Sequence, residues 1–304
     1  MISKSDTGPP SPPQPFVGRG IELARLRAFA LGAPHGAMCV IEGPPGRGKT
    51  ALLEELWRGL PLVRVECTWI DAHGYRGAAA ELLEGTDPPP GGARVIMVDG
   101  WDEVTSDIGA LFPRPPAKGR RAVHVLAGRT AVAASLPQRP LERIALGPLG
   151  PHDSDTWLAR FAFGPRERAQ VAASSYGDPL AIALSIDIAR ISGVVVVPAR
   201  GPLAVEALSA HLLGACRRTS HRLALLALAQ YSPLDDEGLR LALGTRDVDQ
   251  VMSWLEQLAI VRSTPSGLAL QPAVGYHLLR AADPGDQLLA SYVASRLQAV
   301  RATA

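Results

Sequence analysis

The residues of this chain best suited to chemistry lie together at 43–50. The segment reads Gly-Pro-Pro-Gly-Arg-Gly-Lys-Thr, and Gly43, Gly48, Lys49 and Thr50 occupy the four defining positions of a phosphate-binding loop. Glycines let backbone N–H groups converge on phosphate oxygens, and a following helix adds its positive N-terminal end. A lysine suits the β- and γ-phosphates, and a threonine hydroxyl suits Mg²⁺. The segment therefore predicts a nucleotide site.

The flanking sequence supports this interpretation. An apolar run at 38–41 precedes the loop, and a helical pattern at 51–60 follows it with its leucines and tryptophan on one face. The alternative is a glycine-proline turn that happens to precede a lysine. The chain has only three lysines among 31 basic residues, so a chance match is uncommon. The predicted nucleotide contacts in this stretch are Gly43, Pro44, Pro45, Gly46, Arg47, Gly48, Lys49, Thr50 and Ala51.

Length and composition restrict the class of protein. The 304 residues suffice for two domains, and a net charge of +2 argues against a strongly electrostatic nucleic-acid or membrane binder. Three widely spaced cysteines, Cys39, Cys67 and Cys216, fit buried thiols in a reducing compartment better than a disulfide scaffold. The sequence has no apolar stretch of the roughly 18 residues that a membrane helix needs and no apolar signal core. We therefore expect a cytoplasmic protein without a membrane partner.

A second group of polar residues follows a buried strand. The run Arg94-Val-Ile-Met-Val-Asp99 is continuously apolar before its terminal acid, as in central strands of parallel sheets. Ligands of open α/β sheets bind at the carboxyl ends of such strands. Asp99 is therefore predicted to bind Mg²⁺ opposite Thr50. Asp102 and Glu103 follow closely, and their alternative is a solvated turn.

The remaining patterns predict an α/β fold with a parallel sheet. Strands are expected at 62–70, 121–129 and 143–149, with a helix over 71–85 and a loop at 88–92. Their alternation with helices indicates a doubly wound sheet. His124, between two valines, is expected to be structural.

Beyond residue 152 the chain is expected to be mostly helical. Asp153 and Ser154 can cap one helix, and Asp178 is suited to cap another that begins at Pro179. Helices are predicted at 165–176, 203–216, 222–231, 235–243, 248–258 and 286–301, with a hairpin at 260–270. Three helices and a hairpin indicate a winged helix. The predicted domains are a disordered leader at 1–15, a nucleotide-binding domain at 16–150, a helical lid at 151–200 and a winged-helix domain with a C-terminal helix at 201–304.

Two motifs carry a resemblance to a known family. The opening F-V-G-R-x-x-E-L-x-x-L begins at Phe16, about 25 residues before the phosphate loop, and V-I-M-V-D-G-W-D-E ends at Glu103. Together they resemble the STAND class of AAA+-related ATPases, which includes the NACHT, NB-ARC and MalT-type proteins. The resemblance implies a P-loop sheet, a helical lid and a winged helix that bind ATP or ADP with Mg²⁺. Gly100 departs from the AAA+ form, in which a glutamate follows the first aspartate.

The resemblance also implies roles for single residues. Val17 and Arg19 would pack against adenine, Arg129 would report the γ-phosphate, and Pro179 would couple the lid to the nucleotide. Asp102 or Glu103 would polarise the attacking water. The local alternatives are an ordinary helix start at 17–19, a solvated arginine at a strand end, and a plain proline helix start at Pro179.

The winged helix lacks the family's nucleotide-contacting histidine. Gln271-Pro272 stands at that place and His277 lies six residues later, so no direct nucleotide contact is expected from this domain.

These residues favour a slowly hydrolysing ATPase switch that acts through a separately encoded effector protein or through self-oligomerisation. A rival is a DNA-loading AAA+ protein of the origin-recognition or transposition-helper type. It is less favoured because the helix at 246–258 carries Asp247, Asp249 and Glu256 against one arginine, and DNA phosphates repel acids. A third possibility is a nucleotide that is bound structurally and never hydrolysed.

Overall fold

The computed structural model describes residues 3–5, 16–60, 65–73, 92–103, 121–129, 141–197, 204–244, 248–264 and 266–301. The chain forms two compact units, one of Gly18–Gly147 with Met1–Pro9 and one of Pro148–Ala304 with Pro10–Val17. Residues 88–91 of the loop predicted at 88–92, and nearly all of the helix predicted at 71–85, lie outside the described residues. So does the predicted boundary at residue 200 between lid and winged helix.

The first unit is a six-stranded sheet flanked by helices. Its strands are β1 (Ser3–Ser5), β2 (Met38–Glu42), β3 (Glu66–Asp71), β4 (Ala93–Asp99), β5 (Arg121–Gly128) and β6 (Leu141–Ala145). Its described helices are α1 (Gly20–Gly32), α2 (Lys49–Gly59) and a 3₁₀ turn at Trp101–Glu103. The strand order is β1-β3-β4-β5-β2-β6, and the five strands β2 to β6 are parallel. The predicted α/β parallel sheet is confirmed.

The central strands are buried because their side chains are apolar on both faces. In β5 only the first residue is partly exposed, and the last five residues of β4 are all buried. β5 lies between β2 and β4, with Glu42 opposite Gly128 and Asp99 opposite Ala127. The carboxyl ends of these three strands therefore share one edge of the sheet, where the phosphate loop also begins.

Two strands differ from the sequence expectation. Ser3–Ser5 pairs antiparallel with β3, within the stretch 1–15 that the sequence indicates to be a disordered or extended leader. The pairing satisfies backbone groups of a sheet edge and needs no apolar side chains, so hydropathy gives no sign of it. β6 ends at Ala145 rather than 149, and Pro148 lies beyond it without an N–H for a sheet ladder.

The second unit consists of nine described helices and a hairpin. The helices are α3 (Pro151–Leu158), α4 (Pro165–Ser174), α5 (Pro179–Ser192), α6 (Ala204–Ala215), α7 (Thr219–Tyr231), α8 (Asp236–Leu243), α9 (Val248–Glu256), α10 (Pro272–Ala281) and α11 (Pro284–Arg301). The hairpin is β7 (Val261–Thr264) and β8 (Gly267–Leu270). None of the helices in the described part of the chain combines the length and the apolar character needed to cross a bilayer.

Local capping chemistry accounts for several helix starts. The Asp178 carboxylate accepts the N–H of Leu180 at 3.0 Å, and Pro179 opens α5, which confirms the predicted cap. α3 begins earlier than expected, at Pro151 after Gly150, because proline is favoured at the first helical position. α10 was not predicted, although Pro272 opens it in the same way.

Three helices and the hairpin follow α6 in the order predicted from the sequence, and their assignment as a winged helix stays a prediction. A single bridge at Leu234, between α7 and α8, pairs with Leu268 of the hairpin. Helix, bridge, two helices and two strands thus follow in sequence, around buried side chains such as Leu225, Leu239 and Leu255. Residues 194–197, which follow α5, have no regular structure.

A buried carboxylate ties α5 to the turn before β7. Asp187 is fully buried, and its two oxygens accept the N–H groups of Ala259 at 2.7 Å and Ile260 at 3.1 Å. Arg190, one turn later on α5, donates to the carbonyl oxygen of Gln257. Burial raises the pKa of Asp187 to about 7, although the two N–H donors and the charge of Arg190 act in the opposite direction. Burial therefore dominates the titration of this carboxyl.

We expect Asp187 to make stability depend on pH. Its pKa is 3.8 when exposed and about 7 in the fold, so between these values the folded state holds a proton that the unfolded state has lost. The free energy of unfolding should therefore fall as pH rises from about 4 to about 7, by at most about 1.4 kcal/mol per pH unit, and change no further above that range. Urea titrations of wild type and Asp187→Asn across this range measure the difference.

The control is Asp155→Asn, which removes a half-exposed carboxylate that pairs with Arg168 at 2.8 Å. This variant should keep the wild-type slope, whereas Asp187→Asn should lose part of it. An identical pH slope in wild type and Asp187→Asn would contradict the prediction.

Candidate functional site

The phosphate loop depends on glycines with left-handed backbone. Gly46 and Gly48 have φ angles of 79° and 86°, which favour glycine over residues with a side chain. Gly48 is the residue before the first turn of α2, so the free N–H groups of that turn open onto the loop. A helix start preceded by such a loop provides backbone donors and a positive dipole end for an anion. The segment predicted from sequence thus has the backbone geometry of an anion site.

Lys49 lies within the loop rather than in solvent. Its ammonium donates to the carbonyl oxygens of Gly43 at 2.7 Å and Pro44 at 3.0 Å. Burial lowers the pKa of Lys49, while the charges of Asp99 and Asp102 act to raise it. The cation is therefore held inside the loop, where a phosphate would need its charge.

Thr50 and Asp99 meet as predicted from sequence. The Thr50 hydroxyl donates to Oδ2 of Asp99 at 2.7 Å, and Asp99 is almost wholly buried. Thr50 reaches this carboxylate because α2 packs on β4 and β5, with Leu52 and Leu53 fully buried. The contact joins the first turn of α2 to the end of β4.

A hydroxyl and a carboxylate at this distance fit a magnesium ion. Mg²⁺ prefers oxygen ligands and usually keeps waters and phosphate oxygens in its coordination shell, so one or two protein ligands suffice. In the described part of the chain, no group of three or more histidine, cysteine, aspartate or glutamate side chains could hold a metal ion. With one hydroxyl and one carboxylate, Thr50 and Asp99 suit a metal that is bound together with phosphates.

Asp102 and Arg129 form an ion pair beside this site. Nε of Arg129 lies 2.5 Å from Oδ2 of Asp102, and the arginine side chain is 55% exposed. Burial raises the pKa of Asp102, but the hydrogen bonds and charge of Arg129 outweigh it and hold the pKa below its usual value. A Cβ on Gly128 would lie 2.9 Å from Oδ1 of Asp102, so the glycine leaves room for this carboxylate. Asp102 is thus kept ionised and paired.

The structure adds two residues that the sequence reasoning missed. Asp71 ends β3 directly opposite Asp99, and its carboxylate lies 2.6 Å from Nδ1 of His73. The ring of His73 lies 3.0 Å from the position of a Cβ on Gly100, whose φ is 76°. A polar residue at the end of an apolar strand identified Asp99, and the same signal was present at Asp71.

The other predicted site residues lie in different parts of the fold. Arg19 caps α1 with left-handed backbone and is buried, and its guanidinium donates to Gly147 O. Val17 belongs to the second unit, as does Pro179. The backbone of Glu103 lies in the 3₁₀ turn after Asp99. The nucleotide contacts assigned to Val17, Arg19 and Pro179 stay predictions.

Buried groups elsewhere show no catalytic arrangement among the described residues. His124 is buried in the middle of β5, in agreement with a structural histidine. Cys39 and Cys216 are buried and Cys67 is partly buried, which corrects the expectation of three buried thiols. Burial raises the pKa of each thiol to about 12, so all three are poor nucleophiles.

Comparison with known proteins gives structural relatives only. No protein-family model and no curated protein sequence matches the chain. The chain is similar to a signal transduction ATPase with numerous domains (STAND protein) with a tetratricopeptide repeat sensor from Pyrococcus horikoshii, with a TM-score of 0.59 and 16% identity. The match covers 93% of this chain and 48% of that protein, so the chain spans about half of its length. The likeness shows that the chain shares the fold of this signal transduction ATPase.

Two further solved structures are less similar to this chain. A Walker-type ATPase from Pyrococcus abyssi aligns with a TM-score of 0.46 and 13% identity, over 90% of this chain and 99% of the other. The Orc1 protein of Aeropyrum pernix, solved in complex with DNA, aligns with a TM-score of 0.42 and 16% identity, over 88% and 93%.

We expect Thr50→Val to remove the effect of Mg²⁺ on ATP binding. The substitution keeps the side-chain shape but removes the hydroxyl that pairs with Asp99. In a calorimetric titration, wild type should bind ATP at least about tenfold more tightly with Mg²⁺ than with EDTA, a difference of about 1.4 kcal/mol. Thr50→Val should bind equally in both conditions.

Thr50→Ser is the matched control, because it keeps the hydroxyl and should keep the Mg²⁺ effect. A wild-type level of Mg²⁺ dependence in Thr50→Val would show that Thr50 is not a metal ligand.

Proposed function

We propose that this protein binds ATP or ADP together with Mg²⁺, hydrolyses ATP slowly, and works as a STAND-type switch. The observation that carries the proposal is the 2.7 Å contact of Thr50 with Asp99 beside a lysine held inside a glycine loop. Hydroxyl, carboxylate and ammonium then stand at the start of one helix. This combination suits a metal-bound triphosphate.

The binding roles follow from these positions. The N–H groups at Gly46, Gly48 and the first turn of α2 bind the β-phosphate oxygens, and Lys49 binds the β- and γ-phosphates. Thr50 and Asp99 hold Mg²⁺, which when bound neutralises charge on the β- and γ-phosphates. The nearby charges of Asp99 and Asp102 help to keep Lys49 protonated against burial.

Hydrolysis needs a base, and Glu103 is the better candidate of the two acids. The oxygen of a water attacks the γ-phosphorus, the bond to the oxygen bridging the β-phosphate breaks, and the proton of the water passes to a carboxylate. Asp102 is a poor acceptor because Arg129 lowers its pKa and occupies one of its oxygens. We therefore assign Glu103 as the base, and Asp102 as the residue that positions Arg129 toward the γ-phosphate.

The switch itself involves the second unit of the protein. By the family resemblance, Pro179 reports the nucleotide through α5, Val17 contacts the base, and the helices and hairpin at 204–281 form a winged helix. If the protein has two conformations and a nucleotide binds one of them more tightly, that nucleotide shifts the population toward this conformation. Because Asp187 ties α5 to the turn before β7, these two elements would move together.

The output of the switch is proposed to be an effector protein or self-oligomerisation. DNA is the alternative partner, since a winged helix can place its third helix in a groove. The corresponding helix is α9, and its exposed surface includes Asp249 and Glu256. These carboxylates repel phosphates, which favours a protein partner.

We expect Glu103→Gln to abolish steady ATP hydrolysis while ATP binding persists. General base catalysis typically contributes 10²- to 10⁴-fold, so phosphate release should fall by about that factor. Asp102→Asn should lower the rate of phosphate release less, by about tenfold, because it only removes the ion-pair partner of Arg129. Equal phosphate release in wild type and Glu103→Gln would contradict hydrolysis and favour a structural nucleotide.

We also expect nucleotide-dependent assembly. Light scattering of the purified protein with ATP, with ADP and without nucleotide should give at least two different masses, or a mass that changes only when an effector is added. DNA binding measured over a range of salt should be weak. The DNA-loading alternative would be favoured by two results together: the protein stays a monomer in all three conditions, and it binds DNA with an affinity that falls steeply as salt rises.

A further inference from the structure

Arg19 has a buried guanidinium whose hydrogen bonds stay within its own unit. The side chain is 7% exposed and pairs with Glu22 at 3.2 Å. Nη2 donates to the carbonyl oxygen of Gly147 at 2.5 Å and, at the longer distance of 3.4 Å, to that of Arg47. These three partners belong to the start of α1, the exit from β6 and the phosphate loop. One cation thus connects three segments that are distant in sequence.

The backbone of Arg19 shows that this position is constrained. Its φ is 61°, in the left-handed region that residues with a Cβ rarely adopt, and it directly precedes the first turn of α1. Such a conformation persists where surrounding contacts hold it in place. The bonds to Gly147, Arg47 and Glu22 provide those contacts, so the guanidinium and the backbone of Arg19 are held together.

The segment that follows β6 also supports the first residue of the phosphate loop. The N–H of Leu146 donates to Glu42 O at 2.7 Å, and a Cβ on Gly43 would lie 3.0 Å from Leu146 O. Gly43 therefore rests on residue 146, while Arg47 is joined to residue 147 through Arg19. The loop is therefore supported at two points, Gly43 and Arg47, by one short stretch of chain.

The hydrogen bond from Arg19 to the carbonyl oxygen of Arg47 affects phosphate binding through the Arg47–Gly48 peptide group. In a trans peptide the C=O and the following N–H point in opposite directions across a rigid plane. A donor that holds the Arg47 carbonyl therefore also sets the direction of the Gly48 N–H. That N–H is among the donors that the loop offers to a phosphate, since Gly48 precedes the first turn of α2.

We propose that Arg19 is a positioning residue for the phosphate loop, which orients the Arg47–Gly48 peptide for phosphate, and not a contact for the nucleotide base. The inference rests on the proposed nucleotide binding. It differs from the role that the family resemblance implies for Arg19, because the guanidinium is buried against backbone carbonyls of its own unit. Arg19 should accordingly raise the affinity for any ligand that carries the phosphates, whether or not the ligand has a base.

The test compares ATP with inorganic tripolyphosphate, which has the phosphates but no adenine. Calorimetric titrations in Mg²⁺ would be made on wild type, Arg19→Gln and Arg19→Lys, at a temperature where circular dichroism shows all of them folded. Arg19→Gln should lose about tenfold or more in affinity for both ligands, by the same factor. Arg19→Lys should lose less, because an ammonium keeps the charge but lacks the guanidinium fork. It also serves as the test variant if Arg19→Gln does not fold.

The matched control is Arg25→Gln, an arginine on the same helix whose side chain is half exposed and pairs with Glu142. This variant should bind both ligands as wild type does. Hydrogen exchange adds a second measurement, since the Gly48 amide should exchange faster in Arg19→Gln than in Arg25→Gln.

Three outcomes would overturn the inference. Weaker ATP binding with unchanged tripolyphosphate binding would make Arg19 a base contact, and unchanged binding of both ligands would remove any role in the site. A wild-type protein that bound neither ligand would overturn the proposed nucleotide binding itself, and the inference with it.

Discussion

The side chains of Thr50 and Asp99 meet at 2.7 Å although 48 residues separate them and β5 lies between the strands that lead to them. The contact requires that α2 lie across β4 and β5, and its apolar face, including the fully buried Leu52 and Leu53, supplies the packing. It also requires parallel strands, since only these bring β2, β4 and β5 to one edge with their carboxyl ends. Sheet order, helix packing and site chemistry are thus linked at one hydrogen bond.

Charges of both signs lie around this contact. Lys49 lies near the carboxylates of Asp99 and Asp102, and Asp102 pairs with Arg129. A buried charge without a partner would be costly, and the carboxylates of Asp99 and Asp102 offset the burial of Lys49. The site can therefore keep a protonated lysine beside the loop carbonyls. An anionic ligand would meet that lysine and the N–H groups of α2 from the same side.

The second unit uses burial for a different purpose. Asp187 carries a carboxyl into an apolar core and satisfies it with two backbone N–H groups from the turn before β7. The raised pKa, to about 7, shows that the two donors do not fully compensate for burial. A polar group placed in this way fixes the register of one element against another, since no neighbouring turn of α5 offers a carboxylate to the same N–H groups. The carboxylate therefore holds α5 and the turn before β7 in a fixed position relative to each other.

Much of the site could be read from the sequence because its parts obey local rules. Glycines with left-handed backbone, a lysine and threonine at the start of a helix, an acid at the end of an apolar strand and a proline after a capping aspartate depend on near neighbours only. Residues 43–50, Asp99 and the start of α5 at Pro179 were predicted on these grounds, and their backbone positions agree. What only the tertiary structure decided was which distant residues meet: the pairing of Asp102 with Arg129, Asp71 beside Asp99, Arg19 on the carbonyls of Arg47 and Gly147, and the strand at Ser3–Ser5. These contacts follow from strand order and from the path of the chain over the sheet, and no periodicity along the sequence encodes either of them.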